Sequence, residues 1–158
     1  MKPWDAAKLA LAIIICEAAG AVGSVFTAPA IPTWYASLNK PWFTPPGWFI
    51  GAAWIVLYFL MGVSLYLVCK KGFSKYKVKE ATALFALQLA LNVSWSFAFF
   101  GMKSPLNGLV VIIALWAAVY VTMKSFKKID KTAGRLMLPY IAWVTFAALL
   151  NLAVAVAN

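Results

Sequence analysis

The chain has 158 residues, of which 65% are hydrophobic and 11% charged, and its mean hydropathy is +0.87. A soluble domain this small has too little interior to hide so much apolar surface, so soluble enzymes, disordered tails and disulfide-stapled secreted domains are excluded. The formal charge of +10 comes from basic residues placed between apolar blocks, which points to loops facing an anionic membrane surface and away from nucleic acid.

In chain order the apolar blocks cover residues 6–26, 48–69, 81–102, 105–123 and 136–157. Each is close to the roughly 20 residues that a helix needs to cross about 30 Å of hydrocarbon. Helices are required because lipid offers backbone groups no partner, and a barrel would show alternation in place of solid runs. The expected fold is therefore an all-α membrane protein, a five-transmembrane-helix bundle forming a single domain over 1–158. The first block is read as a retained span and not a cleaved signal. It carries the one intramembrane carboxylate, Glu17, for which pairing with Lys8 or an interior amide competes with a functional role. Beside it, Ala18, Ala19, Gly20, Gly23 and Ser24 form a small-residue surface that lets another helix approach closely.

Residues 27–47 connect the first two spans and read TAPAIPTWYASLNKPWFTPPG. Five prolines stiffen this stretch, and Trp34, Tyr35 and Trp42 suit a membrane–water boundary. Two readings stay open, an interfacial aromatic belt and an ordered, non-helical lid over a cavity in the bundle. In the later spans, Trp54, Tyr58 and Met61 share one face of a helix, as do Gln88, Asn92, Trp95 and Phe99, and Tyr140, Trp143, Ala147 and Leu150. Trp116 and Tyr120 add a fourth ring stripe, and Gly101 and Gly108 are expected to serve the short turn between spans three and four. Amides in hydrocarbon need partners, so Gln88 and Asn92 should face inward. They either bond neighbouring helices or orient a flat, mostly apolar ligand stacked on the rings.

The connections alternate in charge. Lys2 and Lys8, then Lys70, Lys71, Lys75, Lys77 and Lys79, then Lys124, Lys127, Lys128, Lys131 and Arg135 all fall on one side of a five-span chain. Only Lys40 and Lys103 fall on the other. The bias predicts a cytoplasmic N-terminus and an outside C-terminus. Cys16 and Cys69 read as inert packing, and the chain has no histidine, which removes the usual axial ligand of haem and the commonest metal ligand. No metal site is expected. Phosphate loops, paired carboxylates and nucleophile–histidine pairs are also missing from the sequence, so any reaction must use indole and phenol rings or chemistry carried by the ligand.

The segments WYASLNKPWFTPPGW (34–48), AWIVLYFLMG (53–62), LQLALNVSWSFAFFG (87–101) and LPYIAWVTFAALLN (138–151) resemble, in order and across nearly the whole chain, the TspO/MBR family. That family contains tryptophan-rich sensory proteins and the mitochondrial translocator protein, or peripheral benzodiazepine receptor. The resemblance implies a five-helix bundle, often a homodimer, with a pocket roofed by the first long loop. It implies a receptor or sensor binding porphyrins such as protoporphyrin IX, and benzodiazepine- and isoquinoline-type drugs, linked to tetrapyrrole regulation or stress response. It leaves two alternatives, a light- and oxygen-dependent porphyrin-degrading activity and a porphyrin or sterol transporter. By motif match the tryptophans of the degrading reaction fall on Trp54 and Trp143. Ligand contacts fall on Trp34, Tyr35, Pro45, Pro46, Trp54, Tyr58, Asn92, Trp95, Trp143 and Phe146. No cofactor is implied, the porphyrin being ligand or substrate. Its acidic side groups would meet Lys40 at the lid. The final LN is followed by LAVAVAN, without the Tyr and Arg of the animal sterol pattern, so sterol binding is expected to be weak.

Overall fold

The computed structural model describes residues 3–158. Helix α1 runs Pro3–Ala30 and continues through a widened turn at Ile31–Tyr35; α2 is Gly47–Cys69, and α3 is Tyr76–Ser96 with a second widened turn at Phe97–Gly101. Then come α4 (Pro105–Ile129), the short α5 (Lys131–Leu136) and α6 (Leu138–Ala157). No strand occurs among the described residues. With α5 and α6 taken as one unit, five helical segments are long and apolar enough to cross a membrane, in agreement with the five blocks read from the sequence.

Several helices outrun those blocks. Helix α4 reaches Ile129, not residue 123, because hydropathy marks the hydrocarbon while backbone hydrogen bonding continues into the headgroup zone. There Lys124 lays its stem on the chain and its ammonium over the Tyr120 ring, 5.4 Å from the centroid. Helix α4 starts on Ser104, whose side chain accepts from the Asn107 N–H at 3.2 Å, with Pro105 in the first turn, where its missing N–H costs nothing. Helix α5 starts on Asp130, whose carboxylate accepts from the N–H groups of Thr132 (2.9 Å) and Ala133 (3.0 Å) and pairs with Lys71 at 3.0 Å. Those bonds, that of Ala133 foremost, hold the Asp130 carboxyl below its ordinary value of 3.8.

The larger departure lies between α1 and α2. The stretch from Thr27 to Ser37 is helical, whereas a non-helical cover was expected from Thr27 onward. Pro29 lies inside α1, and Pro32 lies at the start of the turn where the helix widens over Ile31–Tyr35. Only residues 38–46 form a non-helical strap. Lys40 donates to the carbonyls of Tyr35 (2.8 Å), Leu38 (3.0 Å) and Ala36 (3.3 Å), so it caps the end of this helix. The strap is tied to the last residue: Asn158 Oδ1 accepts from the Asn39 N–H and Asn158 Nδ2 donates to the Asn39 carbonyl, each at 3.0 Å.

Helix α1 packs on α2 and α3, α4 lies between α3 and α6, and α5 closes against α2 and α4. The lysine-rich half of the bundle is solid. Phe85 and Phe126 stack there at 5.6 Å, and Val68, Val78, Ala81 and Met137 are buried at the same end. The half beneath the strap is open inside. Trp116 and Tyr120 are not part of the interior stripe set: they stack on each other at 5.7 Å on the outer surface, 37% and 39% exposed. There the Trp116 N–H is satisfied by Thr145 Oγ1 at 2.8 Å. Gly108 serves no turn either. It lies within α4, where a Cβ would come within 2.7 Å of the Phe99 ring and 2.9 Å of Asn151 Oδ1.

Candidate functional site

A cavity of about 480 Å³ occupies the strap half between α1, α2, α3 and α6. That volume lies within the usual range for drug-sized ligands, roughly 300–1,000 Å³. Its existence follows from side-chain size along α1 and α2. At Gly20 the helices touch, since a Cβ there would lie 2.5 Å from the Tyr58 ring. Beyond that point α1 presents Ala21, Ser24 and Thr27, and α2 presents Gly51 and Gly47, so nothing fills the gap. A Cβ added to Gly51 would meet no atom within 4 Å.

The opposite walls are aromatic. Trp54 stacks on Tyr58 with centroids 5.6 Å apart and meets Trp143 edge-on at 6.4 Å. Trp143 is tilted against Phe146 at 5.6 Å, and Trp95 stacks on Phe99 at 5.5 Å. The Trp143 Nε1 is buried without a hydrogen-bond partner, so packing alone holds this ring. Trp95 is held differently: its indole N–H donates to Asn151 Oδ1 at 3.0 Å, while Asn151 Nδ2 donates to the Pro105 carbonyl at 2.7 Å. One amide thus fixes an indole of the wall to the start of α4.

A buried polar chain forms the cavity floor. The Tyr58 hydroxyl donates to Asn92 Oδ1, Asn92 Nδ2 donates to the Tyr140 hydroxyl at 2.9 Å, and Tyr140 donates to Gln88 Oε1 at 2.9 Å. All four side chains are buried, and every bond in the chain is donor to acceptor in one direction. The chain joins α2, α3 and α6. For Gln88 the helix-bonding reading holds, since it lies below the cavity and not on its wall. Asn92 does both, bonding two helices and lining the cavity.

Of the ten residues expected at the site, Tyr35, Trp54, Tyr58, Asn92, Trp95, Trp143 and Phe146 come together on the cavity wall. Trp34, Pro45 and Pro46 do not. Trp34 lies behind the wall, edge-on to Phe99 at 5.5 Å, and Pro46 is spent on the extended residue that starts α2. No residue of the strap lines the cavity; the helical residues on either side of it, Tyr35 and Gly47, do, while Phe43 packs on Phe146 at 6.4 Å and Trp42 is 95% exposed. Lys40 is not on the wall, being committed to helix carbonyls.

Apart from Glu17, weighed from the sequence as a functional candidate, the α1 side of the wall escaped sequence reasoning. Glu17, Gly20, Ser24, Thr27 and Ile31 all line the cavity. The signal for Gly20 and Ser24 was the run of small residues, which reads equally well as a helix-contact surface. That reading holds for Gly20 against Tyr58 and for Gly23 against Ser96, but fails one turn further along. Asn151 was visible only as the one amide in the last apolar block.

Over residues 12–157 the chain matches the TspO/MBR family. It is 46% identical over 151 residues to a tryptophan-rich protein TspO of Archaeoglobus fulgidus, covering 96% of this chain and 97% of the relative. It is 39% identical over 142 residues to a tryptophan-rich sensory protein of Cereibacter sphaeroides, covering 90% and 87%. The human translocator protein is 38% identical over 132 residues, covering 82% and 78%.

Proposed function

This chain belongs to the TspO/MBR family of multi-pass membrane proteins, and we propose that it is a receptor whose cavity takes a flat, largely apolar macrocycle of the porphyrin type. Benzodiazepine- and isoquinoline-type molecules are further occupants on this reading. The carrying observation is the 480 Å³ cavity walled by Trp54, Tyr58, Trp95, Trp143 and Phe146. Such rings offer stacking area, and the few polar groups supply orientation. The wall holds no cationic side chain. The acid groups of a porphyrin therefore stay at the strap, in reach of water, and the macrocycle enters edge first. By the lysine bias, the lysine-rich end faces the cytoplasm and the strap faces outward. In a homodimer the second copy would cover the exposed apolar face of α1, with Leu11, Ile14 and Val22.

A titration of tryptophan fluorescence with protoporphyrin IX in the dark tests the reading. Saturable quenching at micromolar ligand is expected, and loss of most of it in Trp54→Ala. Purely linear quenching, the same in parent and variant, would refute it.

One observation favours a second reading, photo-oxidative breakdown of the bound porphyrin. The Trp54 and Trp143 rings lie side by side, 6.4 Å apart and nearly perpendicular, on the same wall. Under illumination in air, porphyrin absorbance should then decay with the parent and persist with Trp54→Phe or Trp143→Phe, although both variants still bind in the dark. Decay at the parent rate in both variants removes this reading and leaves the receptor.

A further inference from the structure

Glu17 lines the cavity and is the only charged side chain that does. Among the described residues no side chain forms a hydrogen bond or ion pair with it. Among the described residues the one ion pair is Lys71–Asp130, at the far end of the bundle, so the pairing of Glu17 with Lys8 does not form. Most side-chain donors of the cavity wall are committed elsewhere, and the free Trp143 N–H makes no bond to it. The Tyr58 hydroxyl donates to Asn92, Ser24 Oγ to the Ala21 carbonyl at 2.6 Å, Thr27 Oγ1 to the Gly23 carbonyl at 3.2 Å, and the Trp95 N–H to Asn151. A carboxyl in a mostly apolar setting without a protein donor is costly and calls for a partner from outside the fold.

From this arrangement we propose that Glu17 makes the cavity a recognition site for an aromatic molecule carrying a protonated amine. The inference rests on the reading of the cavity as a ligand site and names a ligand class for it. The ammonium donates to the Glu17 carboxylate, a charge-assisted bond, while the aromatic body stacks on Trp54 and Trp143. The ring faces of Trp54 and Tyr58 add to the attraction, since a π-face favours a cation. Access fits the same chemistry. Glu17, Ala21 and Ser24 lie at i, i+4 and i+7 on one face of α1, opposite Gly51 and Ile55 of α2. Ala21, Ser24, Gly51 and Ile55 line the cavity and are themselves exposed, Ile55 by 62%, so the cavity opens between the two helices toward the bilayer. An amphiphilic aromatic amine dissolved in the membrane reaches Glu17 through that opening.

The test compares two probes that share one ring body, 1-pyrenemethylamine and 1-methylpyrene. Each is titrated into the full chain in phosphatidylcholine nanodiscs, with energy transfer from tryptophan as the readout. The ratio of parent to Glu17→Gln affinity cancels each probe's own partition into lipid. The amine is expected to bind the parent about ten-fold more tightly than it binds Glu17→Gln, and methylpyrene to bind both within about two-fold. Glu17→Asp, which keeps the charge on a shorter stem, should hold part of the amine preference and serves if the Gln variant does not fold. An amine preference unchanged in both variants, or equal binding of the two probes by the parent, overturns the proposal and leaves the cavity reading intact. Failure of both probes to bind the parent overturns the cavity reading together with the proposal.

Discussion

The buried chain Tyr58–Asn92–Tyr140–Gln88 makes a prediction that a double-mutant cycle can decide. Asn92→Leu removes the acceptor of the Tyr58 hydroxyl and the donor to the Tyr140 hydroxyl in one step. Tyr140 still donates to Gln88, so its loss is one bond, worth roughly 0.6 kcal/mol in a membrane interior. Tyr58 fares worse, because its hydroxyl is then buried with no acceptor, at a cost of about 1–3 kcal/mol. The single variant should lose about 1.6–3.6 kcal/mol. Tyr58→Phe alone should lose about 1 kcal/mol, since Asn92 keeps its bond to Tyr140. In the double variant no orphaned Tyr58 hydroxyl exists, so the combined loss should fall short of the sum by about 1 kcal/mol. Reversible unfolding in mixed micelles, followed by tryptophan emission, measures all three. Losses that add within about 0.3 kcal/mol would mean the two side chains are energetically independent and the chain is not a coupled floor.

Two further predictions concern the α1–α2 contact at the site and the far end of the bundle. Gly20→Leu must push the Tyr58 ring, whose Cε2 would be 2.5 Å from the new Cβ, so it should lower stability by about 1–3 kcal/mol and weaken protoporphyrin quenching; unchanged unfolding and binding would show that α1 and α2 do not close there. Asp130→Ala removes the cap of α5 and should cost about 1 kcal/mol at neutral pH. Because the folded carboxyl titrates below its ordinary 3.8, its stabilisation is complete above that value and is lost as pH falls through the lower folded value. The gap between parent and Asp130→Ala unfolding midpoints should thus narrow from neutral toward pH 3, and a constant gap would refute the assignment.

The indole and phenol positions on α2, α3 and α6 were readable because helical periodicity alone gathers Trp54 with Tyr58, Asn92 with Trp95, and Tyr140 with Trp143. Periodicity cannot say whether such a stripe meets a void, a neighbour or lipid. Trp116 and Tyr120 have the same spacing and turn outward, because α4 already buries Ile112, Leu115 and Val119 on its inner face. The proline-rich connection misled in the opposite sense. Pro29 and Pro32 look like helix breakers, yet the helix runs on through both, widening over Ile31–Tyr35, and Lys40 caps the end.

Hydropathy and length were enough for the number of helices and the membrane class, since the hydrocarbon core demands solid apolar runs of one length whatever the helices pack against. The lysine distribution went further and divided the connections into two unlike sets. The cavity belongs to the tertiary structure alone. It exists because α1 and α2 touch at Gly20 and Tyr58 and meet beyond that contact with small side chains at Ala21, Ser24, Gly47 and Gly51, while Trp54 of α2 and the rings of α3 and α6 wall the gap. A void is a property of several helices at once, and no single segment of chain encodes it.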